Sequence, residues 1–210
     1  MKEGDPQVST AFRDIFDRLD ESENERAKYL SRLFGLFSEK IVSIWANDAR
    51  APFENLGRPT LRRPEDTRGH TLDFTFRDRI GGKVYVAEMK CEIEYMNFRY
   101  FVLETASQLD HHKKPAFDAF LGSARCPDRM AVRVRGRQVG IDGAILVWGA
   151  VSPESKERIM SEKGFHDILS VEDICRDLAG WRNPDYLRMI EQYRAWSNRL
   201  FDGLVVSGSV

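Results

Sequence analysis

The stretch that most limits what this chain can become is residues 72–91, LDFTFRDRIGGKVYVAEMKC. Leu72, Phe74 and Phe76 alternate with Asp73 and Thr75, the period of a β-strand. Gly81 and Gly82 supply the positive-φ freedom of a tight turn. Residues 83–91 are rich in Val and Tyr and predict a second strand. Alternation puts Val84, Val86, Glu88, Lys90 and Glu92 on one face, and Tyr85, Ala87, Met89 and Cys91 on the other. Both faces are apolar as far as Glu88, so the strand is expected to be central and covered on both sides. Glu88 and Lys90 then arrive at its end, with Asp73 on the neighbouring strand. Half-buried charge is costly unless it is paired or binds a metal.

Elsewhere the pattern is mostly helical. Ser9 or Thr10 caps an expected short helix carrying Phe12, Ile15, Phe16 and Leu19, after a disordered start. Apolar spacing from Tyr29 to Trp45 predicts one long helix over residues 25–47, with Gly35 inside it and Pro52 barring its continuation. Residues 57–62 form a short expected strand, with Pro59 at an edge or a strand start. A charged loop covers residues 64–69. Residues 97–120 carry a helical pattern through Phe98, Phe101, Val102, Thr105, Leu109 and Ala116, kinked or ended near Pro115. Strands are predicted over residues 130–134, 141–148 and 165–171. Ser152 and Pro153 open a helix as cap and first residue. Helices over residues 172–178 and 185–204 follow, then a loose tail. This order predicts an α/β sandwich around a mixed sheet. Its expected parts are an acidic N-terminal segment with a short helix (1–24), a core (25–178) and a C-terminal helical extension of the same domain (179–210).

Composition enters as a set of exclusions. Net charge is −1, so a polyanion would have to be met by a local patch. Three cysteines, with no CxxC, argue for a reducing compartment and against a disulfide framework or zinc knuckle. No apolar run has the length of a membrane span, and the N-terminus lacks a signal-peptide core, so the expected location is cytoplasmic with no membrane partner. GxSxG, P-loop and GxGxxG motifs are absent.

Two carboxylates on adjacent strands, with a third available from a helix, make an oxygen site suited to Mg²⁺ or Mn²⁺. A lysine two residues after Glu88 faces the same way and can orient water or neutralise charge on a phosphate. With this set, Asp73 in LDFTF and Glu88-Met89-Lys90 in VAEMK, the chain resembles the PD-(D/E)XK nuclease superfamily. Glu39 in GLFSEKIV is similar to the family's first-helix glutamate, and Gln108 in ASQLDHHKK to the glutamine of the helix after the third strand. Leu72 stands where the motif's name has Pro. The resemblance implies a restriction-endonuclease-like α/β/α sandwich with a central mixed sheet, here with extra N- and C-terminal helices. It implies that Asp73, Glu88 and the Met89 carbonyl bind Mg²⁺, with Glu39 assisting. Lys90 would position or activate water, and Gln108 would orient Lys90 or a phosphate.

Competing readings are bland. Glu154-Ser155-Lys156 repeats the triplet at a helix start, where acids are expected from the dipole. Pro64-Glu65-Asp66 lies in a loop, so Asp73 is the preferred aspartate. Glu92 reads as a surface charge. His111 and His112 on a helix would point about 100° apart, and His70 falls on the strand face opposite Asp73, which argues against zinc. Residues 122–140 carry five arginines against one aspartate; Arg133, Arg135 and Arg137 alternate and are expected on one face, fit for phosphates or guanine edges or, equally, a solvated edge strand. Arg58, Arg62, Arg63 and Arg68 form a second basic cluster, while residues 14–25 are strongly acidic. The expectation is a Mg²⁺-dependent endonuclease acting on DNA. The alternatives are an inactive nuclease-fold module that binds DNA or protein in a larger complex, and an RNA-directed nuclease. Many members of the family that the chain resembles cleave both strands as dimers, so the resemblance makes a homodimer an expectation. Tyr186, Tyr193, Trp196 and Phe201 are its candidate interface, though core packing is the preferred use of that helix.

Overall fold

The computed structural model describes residues 24–90 and 101–205. The expected N-terminal helix with Phe12 to Leu19, most of the acidic run, Cys91, Glu92, Phe98 and the tail lie outside them. Asn24–Gly35 (α1) and Ser38–Asn47 (α2) replace the one helix predicted over 25–47. The chain breaks at Leu36-Phe37, where both amides close three-residue turns onto Leu33 and Phe34. Gly35 lowers the cost of leaving the helix there. The break turns Phe34 and Phe37 inward, with ring centroids 5.4 Å apart and Phe37 5.9 Å from Tyr193.

Phe53–Asn55 (β1), Pro59–Arg62 (β2), His70–Thr71 (β3), Phe74–Asp78 (β4) and Val84–Met89 (β5) follow. Then come Val102–Leu103 (β6), Pro115–Arg125 (α3), Ala131–Val134 (β7), Arg137–Val139 (β8) and Gly143–Trp148 (β9). Ala150–Val151 (β10), Pro153–Lys163 (α4), Asp167–Ser170 (β11), Val171–Gly180 (α5) and Pro184–Val205 (α6) complete the described chain. The central sheet runs β1-β4-β5-β9-β11, antiparallel through β5 and parallel from β5 to β11. A mixed α/β architecture with a central mixed sheet is thus what the chain forms.

The expected hairpin is β4–β5. Its turn is closed by Asp78, whose carboxylate accepts from the Ile80 and Gly81 amides at 2.9 Å, and by Gly82 at φ 70°. β5 is central and buried on both faces, as its apolar run predicts. Tyr85, Ala87, Ile145 and Val147 pack against α2, α5 and α6; Val86, Ala144, Leu146 and Trp148 pack on the other side against α3 and α4. Ser152 caps α4 by accepting from Ser155 N at 3.2 Å. Among the described residues no helix is long and apolar enough to cross a membrane.

β2 and β7 belong to a second, four-stranded sheet, β3-β2-β7-β8; of the two places expected for Pro59, an edge or a strand start, β2 takes the second, an interior strand that starts with Pro59. The helical pattern expected over 97–120 is not one helix in its described part, 101–120: β6 and a short 3₁₀ turn, Ala106–Leu109, precede α3, which runs on to Arg125. The Thr105–Gln108 pair closes that turn as a capping box, and Pro115 is the first residue of the real helix.

Candidate active site

Asp73 occupies the bend just before β4, beside the exit of β5. Met89 N donates to Asp73 Oδ2 at 2.9 Å, which ties the two strand ends together. Glu88 is on the Val86 face, beneath α3, and only 7% exposed. Burial is the main cause that pushes its carboxyl above the usual Glu range. Lys90 opposes the rise and the nearby Asp73 charge adds to it. Lys90 leaves the sheet with its amide bonded to Val147 O at 2.9 Å. Its ammonium makes a short contact with Glu88 Oε1, lies 3.3 Å from Met89 O, and stands 5.8 Å from the Phe117 ring centre. Glu88 and Lys90 therefore share a face, as the strand period predicts. Among the described residues, Glu88 Oε2 is buried without a hydrogen-bond partner. An orphaned carboxylate oxygen in the interior costs about 1–3 kcal/mol.

These donors fit a hard divalent cation. Two carboxylates and the Met89 carbonyl suit Mg²⁺, which keeps several waters and takes few protein oxygens. Among the described residues no group of three or more His, Cys, Asp or Glu side chains is gathered to hold a metal, and Glu39 is not drawn up to Asp73 as a third ligand. Instead, Arg58 bridges the two acids, with Nη2 3.2 Å from Asp73 Oδ1 and Nη1 3.6 Å from Glu39 Oε2. A cavity of about 520 Å³ opens here between the first turn of α2 and the bend at Asp73, lined in part by Glu39, Lys40, Ser43, Asn55, Arg58 and Asp73. A larger groove of about 720 Å³, between α2 and α6, contains neither Asp73 nor Glu88.

Gln108 is not aimed at Lys90. Its Oε1 accepts from the Glu104 and Thr105 amides at 2.7 and 2.9 Å, and its Nε2 donates to Val102 O at 3.0 Å. All three contacts are spent on backbone groups of the segment that leads into its own turn. The turn brings in a further neighbour, because the His111 and His112 rings lie side by side with centres 3.9 Å apart and planes tilted by 39°. His112 lies 4.8 Å from Phe117 and 6.3 Å from Trp148, and burial pushes it down to about 4, with His111 and Lys90 adding to the shift. It is thus neutral at pH 7 and part of the wall behind Lys90. Only the adjacency of two histidines hinted at this in sequence.

The arginines divide. Thr60 pairs with Arg133, so Thr60, Arg62 and Arg133 share the exposed face of the second sheet. Arg137 opposes Val134 and takes the other face, while Arg135 and Gly136 form the hairpin turn at φ 50° and 79°. The expected single face for Arg133, Arg135 and Arg137 is therefore wrong: a turn interrupts the alternation. Arg135 reaches back over Gly57, where an added Cβ would stand 3.3 Å from its Nε. Arg63 grips Asp66 at 2.9 and 3.0 Å and also approaches Glu65 and Asp118 at 3.4 Å. That network makes the Pro64-Glu65-Asp66 loop a structural clasp. Lys156 of the second triplet is likewise paired, with Asp167 at 2.6 Å.

No protein-family model matches the chain, and no curated protein or solved structure matches it either.

Proposed function

We propose that this chain is a Mg²⁺-dependent endonuclease that hydrolyses DNA phosphodiester bonds on a restriction-endonuclease-like core of the PD-(D/E)XK kind. The observation that carries the reading is the buried Glu88 Oε2, without a hydrogen-bond partner among the described residues, beside Asp73 and with Lys90 on the same strand end. A fold does not keep such an oxygen for stability. The antiparallel β4–β5 hairpin followed by parallel β9 supports it as the scaffold.

Asp73, Glu88 and the Met89 carbonyl would hold the cation, and Mn²⁺ would substitute. Bound there, it supplies Lewis acidity towards the phosphodiester and lowers the pKa of water. The protein's own part is positional. Met89 N fixes the Asp73 carboxylate, and Phe117 and His112 wall off Lys90. Lys90 holds its charge where it orients an attacking water or neutralises charge developing on the phosphate. Arg62 and Arg133 on the second sheet, and Arg135 at the hairpin turn, are the candidate backbone contacts. A homodimer would supply the second site for double-strand cleavage. Trp196 and Phe201, 57% and 47% exposed on α6, fit such an interface better than Tyr186 and Tyr193, which pack on the core.

A second reading, an inactive nuclease-fold module binding DNA or protein, is favoured by one observation: Arg58 sits where a cation would need Asp73. Plasmid, single-stranded DNA and RNA incubated with Mg²⁺ or EDTA separate the two. Metal-dependent cleavage lost in Asp73→Ala and Lys90→Ala is expected. Variants that cut as well as wild type, or no cleavage of any substrate, would overturn the enzymatic reading.

A further inference from the structure

We propose that Arg58 is an exchangeable counter-ion of the acidic site: it neutralises Asp73 and Glu39 when no divalent cation is present, and moves to a substrate phosphate when one is. This rests on Asp73 and Glu88 being cation ligands. Asp73 has two oxygens, and Met89 N holds Oδ2, so the carboxylate is not free to rotate. Oδ1 is the oxygen left for a cation, and it is the one that Arg58 Nη2 approaches at 3.2 Å. Guanidinium and cation therefore compete for one atom. The same guanidinium reaches Glu39 Oε2 at 3.6 Å, so its loss would leave two carboxylates repelling each other across the cavity.

Arg58 is built to leave. Its side chain is 57% exposed, whereas Asp73 is 14% exposed, so departure uncovers no core. Its main chain is pinned next door, where Leu72 N donates to Pro59 O at 3.1 Å, so the movement is confined to side-chain torsions. The cavity of about 520 Å³ gives those torsions room. Arg63 is the contrast: two hydrogen bonds to Asp66 and approaches to Glu65 and Asp118 hold it in place. A guanidinium fork is also weakly hydrated and matches phosphate geometry, so it loses little in exchanging a carboxylate for a phosphodiester oxygen.

The test is Mn²⁺ titration calorimetry on wild type, Arg58→Ala, Arg58→Met and Asp73→Asn, paired with cleavage rates at saturating Mn²⁺. Arg58→Met keeps the aliphatic stem. Removing a competitor is expected to tighten Mn²⁺ by about two- to fivefold in both Arg58 variants, in line with a partly exposed ion pair. Their cleavage is expected to slow by about tenfold or more even at saturation, because the phosphate partner is gone. A variant that merely damaged the site would bind Mn²⁺ more weakly, the opposite sign. Equal or weaker Mn²⁺ binding by both Arg58 variants overturns the exchange, and unchanged cleavage overturns its phosphate half. If Asp73→Asn binds Mn²⁺ as well as wild type, the assignment of the site itself falls, which is a different result from a failed exchange.

Discussion

Replacing Glu88 by Gln in the cation-free protein tests the site without relying on catalysis. Burial is the largest cause acting on this carboxyl and raises it above the ordinary 4.5; Asp73 adds to the rise and Lys90 opposes it. Between 4.5 and its raised value the folded chain therefore binds more protons at this position than the unfolded chain. Glu88 thus makes the wild type lose stability as pH climbs through that window, and the loss persists above it. One proton sets the ceiling, a slope of about 1.4 kcal/mol per pH unit. For a domain of this size that is roughly 3–6 °C of Tm per pH unit. Gln does not titrate. The difference in stability, variant minus wild type, should grow as pH rises from about 4.5 to the raised value and hold level above it, whatever fixed offset comes from breaking the contact with Lys90. Urea or thermal unfolding in EDTA from pH 4 to 8 measures it. Parallel curves, or a difference that shrinks as pH rises, would refute the buried, desolvated Glu88. Adding Mn²⁺ at 100 times its Kd should then stabilise wild type by about 2.7 kcal/mol and leave the Gln variant where it was. An equal gain in both would remove Glu88 from the ligand set.

His112 carries the opposite sign. With its pKa pushed down to about 4 from 6.5, it withdraws stability as pH falls through that interval, about 3 kcal/mol in all. His112→Gln should flatten the acid limb of the unfolding curve, and an unchanged limb would show that His112 is not held neutral. Arg133→Ala and Arg135→Ala should each lower the salt dependence of double-stranded DNA binding by about 0.9 in the log–log slope. Arg63→Ala should leave that slope alone, because its charge is spent on Asp66; fluorescence anisotropy across a salt series tells them apart. Gly149→Ala should destabilise by about 1–3 kcal/mol, because the new Cβ would stand 2.7 Å from the Phe101 ring and carbonyl oxygen. A urea midpoint within error of wild type would show that Phe101 shifts freely.

Much of the frame was legible because it depends on neighbours in the chain. The period of two placed Glu88 and Lys90 on one face, and the continuous apolar runs identified β5 and β9 as buried strands. Ser152-Pro153 marked the start of α4. What failed did so where a local pattern had two outcomes. Residues 97–120 carry helical spacing, yet Thr105 and Gln108 close a 3₁₀ turn on themselves, so a glutamine expected to serve Lys90 or a phosphate serves nearby backbone. Residues 25–47 read as one helix, yet Gly35 makes a break inexpensive, and burial of Phe34 with Phe37 half-buried against it favours the break.

By itself, then, the sequence determined which residues could do chemistry: an aspartate, a glutamate and a lysine at adjoining strand ends, in a chain with enough apolar surface to bury them. Only the tertiary structure decided their partners. The register of β2 against β7 set Arg62 and Arg133 on one surface, and the bend at Asp73 delivered its carboxylate to Arg58 and Met89 N. Packing under α3 stripped water from Glu88. The reason is one of range. Strand period, turn chemistry and helix caps act over a few residues and are written in the local sequence. Ion pairing and desolvation depend on which distant side chains share a few ångströms, and strand register and layer packing choose those.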